Sequence, residues 1–156
     1  MRDRYVVVAD TNILLQSLLN DSGPAAKCLG YFRRGEIDLA VSRDTINEAK
    51  DVLSRSSLRN RYSQLTDEKV THLLDFLRYR GMYFQSVKHW FEYPRDPDDE
   101  PYINLAIEAE ADFIISRDSD LLDLMKWDQA EGRAFQRRFR SLKIVSPIEF
   151  LEIMEK

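Results

Sequence analysis

The sequence predicts a three-layer α/β sandwich with a central parallel sheet of four to five strands. Three observations carry that prediction. Apolar runs of strand length alternate with segments of helical period along all 156 residues, the pattern that gives a parallel sheet covered by helices. The runs Val6-Val7-Val8 and Phe113-Ile114-Ile115 are short and largely β-branched, as in strands buried on both faces. The first run also stops at a charge, Asp10, and a carboxylate at a buried strand end needs a cation, a metal ion or several N–H donors. Asp is equally a good helix cap, so Asp10 alone leaves cap and ligand level.

The elements follow in order. After the strand ending at Asp10, Ile13, Leu14, Leu18 and Leu19 recur at helical spacing up to Asp21-Ser22-Gly23. Pro24 suits the first turn of a second helix, which carries Ala25, Leu29 and Phe32 and ends at Gly35. Ile37–Val41 is a second strand. Ser42 caps the next helix, to about Ser56, whose buried stripe is Ile46, Ala49 and Leu53 with Val52 at its margin. Glu48 falls beside Val52 and is therefore expected to be partly buried. Arg55 to Leu65 reads as a polar loop.

Thr66 then caps a helix with Val70, Leu73, Leu74 and Leu77 inward, His72 outward and Gly81 as its stop. Met82–Val87 reads as a third strand. Pro94 and Pro97 forbid a helix through the segment that follows, and Pro101 opens the helix bearing Ile103, Ala106 and Ile107. Phe113–Ser116 is the fourth strand, followed by a short helix with Leu121, Leu122 and Met125. Lys143–Val145 is a weakly signalled fifth. Ser146-Pro147-Ile148-Glu149 is a capping box opening the last helix.

The chain is expected to be one domain over residues 1–156, with a basic insertion around 126–141. A hydrophobic share of 44% beside 32% charged residues is that of a soluble globular protein. No apolar run approaches the ~20 residues of a bilayer span, so no membrane association is expected. The charged start and the polar Asp10 and Asn12 argue against a signal peptide. A single cysteine, Cys28, excludes an internal disulfide and a multi-cysteine zinc site; a cytoplasmic location fits. The net charge is −4, but it is unevenly spread. Lys126, Arg133, Arg137, Arg138, Arg140 and Lys143 form one basic zone and Arg55, Arg59 and Arg61 another, while Asp96–Glu100 and Asp118–Asp120 are acidic. Separate zones suit an enzyme that holds a metal in one place and a polyanion around it.

Ligands of open parallel sheets bind beyond the carboxyl ends of the strands. Asp10 follows strand one, Glu48 lies on the first turns after strand two, Asp98 and Asp99 lead into the helix after strand three, and Asp118 and Asp120 follow strand four. All fall on one sheet edge. Helix capping explains any one of them but not their common placement, which favours function for Asp10, Asp99 and Asp118 and, less strongly, for Glu48. Asp98 and Asp120 fit supporting ligands and plain surface acids equally. Clustered carboxylates need counter-charge. With no paired histidines or thiolates, the hard oxygen ligands point to Mg²⁺ or Mn²⁺ and to hydrolysis of a phosphodiester by an activated water.

Val7-Val8-Ala9-Asp10-Thr11-Asn12 resembles the opening strand and first acid of the PIN-domain family of metal-dependent ribonucleases. Ser42 to Leu53 resembles the helix supplying the second acid, here Glu48. The stretch Asp96–Ala106 followed by Ala111–Leu122 is the most specific match, and resembles the VapC-like branch of toxin components. The resemblance makes Asp99 and Asp118 the third and fourth acids, Asn12 and Ser116 supporting polar residues, and Asp120 an additional acid. It implies a substrate of single-stranded or loop RNA cleaved by water and, for a toxin of a type II toxin–antitoxin pair, a cognate antitoxin protein.

Arg117, Arg133, Arg137, Arg138 and Arg140 are the expected RNA-binding residues. Trp90, Phe91 and Tyr93 offer either a stacking platform for bases or, as aromatic clusters more often do, packing against a neighbouring helix or the second subunit of a homodimer. His89 is not expected to act as the base. An aspartyl-phosphate enzyme would need a second Asp two residues after Asp10, where Asn12 stands. The alternatives within the family are an RNA-processing nuclease without an antitoxin and a non-catalytic module that binds RNA or protein.

Overall fold

The computed structural model describes residues 3–156. In chain order the elements are β1 (Val6–Ala9), α1 (Thr11–Leu19), α2 (Pro24–Arg33), β2 (Asp38–Ser42), α3 (Arg43–Leu53), α4 (Ser56–Arg61), α5 (Asp67–Arg80), β3 (Met82–Phe84), α6 (Glu100–Glu108), β4 (Phe113–Ile115), α7 (Ser119–Leu122), α8 (Ala130–Arg138), β5 (Lys143–Val145) and α9 (Pro147–Met154). Short 3-10 turns at Pro97–Asp99 and Asp123–Met125 precede α6 and follow α7.

The five strands form a sheet in the order β3-β2-β1-β4-β5, every neighbouring pair parallel. Because side chains alternate across a strand, β1 sends Val7 into one layer and Val6 and Val8 into the other, all three sealed from solvent. On the Val7 side, Leu39, Val41, Ile115 and Val145 meet the buried stripes of α1, α2, α3, α5 and α9. On the opposite side, Ala40, Ile114 and Ile144 join Ile103 and Leu105 of α6, Leu121 of α7 and Phe135 of α8. Two cores, one on each face of one sheet, make the three layers that the sequence predicts.

The structure differs from the sequence reading at element ends. Met82–Val87 contributes only Met82–Phe84 as strand, since β2 has no residue left to pair beyond Ser42, which turns into the cap of α3. The presumed loop Arg55–Leu65 holds α4. A single inward residue, Leu58, gives no readable period, and Arg59 holds the segment by donating to the Leu53 carbonyl at 2.7 Å and pairing with Asp67 at 2.5 Å. Helix α6 begins at Glu100, not at Pro101, because the 3-10 turn from Pro97 feeds straight into it. Gly35 ends the α2 turn at φ 77°, a left-handed conformation that suits glycine.

The basic stretch after Lys126 folds as α8, anchored by Phe135, which is fully buried. Phe91 packs edge-on against Phe135 and Phe139, with ring centroids 5.2 and 6.1 Å away, and against Tyr93. Phe91 and Tyr93 are thus packed within the chain, while Trp90 is 37% exposed.

Candidate functional site

Strands β1 and β4 are neighbours, yet the chain leaves β1 toward β2 on one side and β4 toward β5 on the other. A crevice opens beyond the carboxyl ends of two such strands. Asp10 and Asp118 enter from its two walls.

The structure shows the capping role of Asp10 and a second bond across the sheet. As N-cap of α1 it accepts from the Ile13 N–H through Oδ1 at 3.0 Å, and its Oδ2 accepts from the Ser116 hydroxyl. The same Ser116 oxygen accepts the Asp118 N–H at 2.9 Å, so one buried hydroxyl couples the ends of β1 and β4. Asp118 in turn caps α7, accepting from the Asp120 N–H at 2.9 Å. Burial is the strongest influence on Asp10 and raises its pKa to about 6 against the donors that favour its charge.

Asp99 arrives from the turn before α6 and is 7% exposed. One carboxylate oxygen each of Asp96, Asp99 and Asp118 lies within 4.8 Å of the other two. Burial first, and then the facing Asp118 and Asp96, hold the Asp99 carboxyl far above the usual range; burial also raises Asp96. Glu48, partly buried on α3, is likewise raised, chiefly by burial, while the Tyr102 hydroxyl beside it favours its charge. That hydroxyl is shared with Thr11 Oγ1.

Asp10, Asn12, Glu48, Asp98, Asp99 and Asp118 line a single cleft of ≈ 190 Å³ with Thr11, Val52 and Tyr102. Ser116 lies beneath it, fully buried. Asp120 does not line that cleft: it pairs with Arg95 Nε at 2.8 Å, and the other end of that guanidinium holds Asp123. Of the basic residues, Arg117 is exposed beside Asp118 in the chain. Arg133 donates to the Trp127 carbonyl at 2.8 Å, and Arg137 lies over the Trp127 ring. Arg138 and Arg140 border a groove with Ala106, Ile107 and Ala111, where α6 leads into β4, at the opposite sheet edge from the carboxylates.

Sequence reasoning missed three residues here. Asp96 stands three before Asp99, and Tyr102 three after it on the same helical face, so spacing from Asp99 was the available signal. Arg95 had none, because its partners lie 25 and 28 residues away.

The donor set suits a hard divalent cation. It offers only oxygen ligands, and two carboxylate oxygens, Glu48 Oε2 and Asp99 Oδ2, are buried without any hydrogen-bond donor. Uncompensated buried anions are costly, and the raised carboxyl pKa values express that cost. The cluster of Asp96, Asp99 and Asp118 could hold a metal ion.

The model of the PIN domain matches residues 6–120, a span that contains every one of these acids. This chain belongs to the PIN domain family. A full-length relative is an uncharacterized protein of Methanocaldococcus jannaschii, 27% identical over 150 residues that cover 96% of this chain and 92% of that one. PIN domains are typically nucleases that use divalent metals, and both the five-stranded parallel sheet and the acidic cluster of this PIN domain agree with that. Among the described residues no helix is long and apolar enough to cross a membrane.

Proposed function

We propose that this PIN domain is an endoribonuclease that hydrolyses phosphodiester bonds in single-stranded or loop RNA with Mg²⁺ or Mn²⁺, and that it is the toxin of a type II toxin–antitoxin pair. The observation that carries the nuclease reading is the convergence of carboxylates from four segments, with two buried oxygens left without a donor. Asp10, Glu48, Asp99 and Asp118 are the residues that would hold the cation. When bound, it supplies Lewis-acid stabilisation of phosphate charge and a water of lowered pKa.

The chain's own residues set the geometry. Ser116 and the Ile13 N–H occupy both Asp10 oxygens, which orients the carboxylate and disfavours its attack on phosphorus as a nucleophile. Tyr102, held by Thr11, steadies Glu48. Asn12 is exposed at the cleft rim, within the reach of a substrate phosphate or ribose. An open cleft admits an unpaired strand, whose bases are free to splay outward.

The toxin assignment rests on the resemblance of Asp96–Leu122 to that branch, and the single buried thiol of Cys28 suits a reducing cytoplasm. Asp10→Asn and Asp99→Asn should abolish cleavage of single-stranded RNA while leaving the circular dichroism spectrum intact. Full activity in EDTA, or in the Asp10→Asn protein, would overturn the mechanism. Co-purification with a small protein encoded beside it, which then blocks cleavage, tests the toxin assignment; a lone, unrestrained nuclease would refute it.

A further inference from the structure

The acid that completes the site beside Asp99 and Asp118 is, we infer, Asp96, and Arg95 is the positioning residue that makes the choice. This rests on the metal-dependent reading above. Three observations converge on it. Asp96 presents a carboxylate oxygen within 4.8 Å of both Asp99 and Asp118. Asp99 Oδ2, on a side chain more than nine-tenths buried, has no hydrogen-bond partner. Asp120, the more obvious candidate because it sits two residues after Asp118, is spent on Arg95.

The segment that carries Asp96 is fastened at both ends. On the α6 side, Asn104 Oδ1 accepts the Trp90 and Phe91 N–H groups at 2.6 and 2.8 Å, and Glu100 Oε2 accepts the Tyr93 N–H at 2.9 Å. On the α7 side, the Tyr93 hydroxyl donates to the Asp120 carbonyl at 2.5 Å, and Arg95 bridges Asp120 and Asp123. The guanidinium fork suits two carboxylates at once. It neutralises Asp120 and Asp123, while the adjoining Asp96 presents a carboxylate oxygen to Asp99 and Asp118. The cation therefore gains a ligand from the loop before α6, and loses one that chain spacing alone would assign.

The test is titration of the full-length protein with Mn²⁺, followed by calorimetry and by the electron paramagnetic resonance of free Mn²⁺. Asp96→Asn should weaken binding about 10- to 100-fold, and Asp120→Asn should weaken it less. Arg95→Gln should also weaken it, with partial rescue in Arg95→Lys. Wild-type Mn²⁺ affinity in Asp96→Asn, or an equal or larger loss in Asp120→Asn, would overturn the inference. Thermal melting in EDTA separates these effects from misfolding. If Asp10→Asn and Asp99→Asn also bind Mn²⁺ like the wild type, the metal-dependent reading itself fails; if they lose binding and Asp96→Asn does not, only this inference fails.

Discussion

Ser116 and Asp10, 106 residues apart, share a hydrogen bond in which the hydroxyl of one strand's end holds the carboxylate of the next. Removing the donor leaves Asp10 Oδ2 buried and unsatisfied. Ser116→Ala should therefore destabilise the fold by about 1–3 kcal/mol, more than a small surface change would. Paired with Asp10→Asn in a double-mutant cycle of urea unfolding, the two should show strong coupling. Additive effects would mean that the bond carries no stability.

Stability of the metal-free protein should fall as pH rises. The Asp10 carboxyl shifts from its ordinary 3.8 to about 6 on folding, so its neutral form is the one that favours the native state. That contribution is complete below pH 3.8 and is lost as pH climbs through 6, at a cost on the order of 3 kcal/mol. Asp99 is raised further still, which extends the loss above that window. Urea midpoints measured in EDTA between pH 5 and 8 should decline in the wild type and decline less in Asp99→Asn. Parallel profiles would count against a strained acidic cluster.

At neutral pH in EDTA, Asp99→Asn should melt higher than the wild type, because it removes a carboxyl whose charged form is penalised by burial first and then by the facing Asp118 and Asp96. Mn²⁺ should reverse the order, raising the melting temperature of the wild type alone. A variant that gains stability while losing cleavage is the trade-off expected of a functional site. A metal-free Asp99→Asn protein that is less stable than the wild type would contradict this.

Helix α8 sits flush against the turn at Lys126. A Cβ on Gly132 would run into the Lys126 backbone carbonyl, so Gly132→Ala should detach or distort the helix despite the better helix propensity of alanine. Phe135→Ala should cost about 3–5 kcal/mol by emptying the core on that face. Denaturant unfolding checks both, and a neutral Gly132→Ala would show that α8 is loosely docked.

The sheet, its layers and the position of Asp10, Glu48, Asp99 and Asp118 on one edge were legible because hydrophobic periodicity and strand ends are local signals. Asp10 illustrates the limit: its cap was legible from the helix start, but the Ser116 hydroxyl that takes its second oxygen comes across from β4, 106 residues away. The partner of Asp120 was illegible for the same reason. Arg95 reaches it through a folded loop, and spacing from Asp118 pointed the other way. The arginines of α8 and the turn after it are evident as a cluster in the sequence, but the direction of that helix, fixed by burial of Phe135, puts Arg138 and Arg140 at the far edge.

The pairing of β1 with β4 has a consequence in time. A ribosome releases Asp10 long before it releases Ser116 and Asp118, and non-local strand pairing is slow to form. Until β4 docks, the first acid has no wall opposite it. For most of its synthesis, a nascent chain of this design therefore carries its first acid without the cleft that the acid lines.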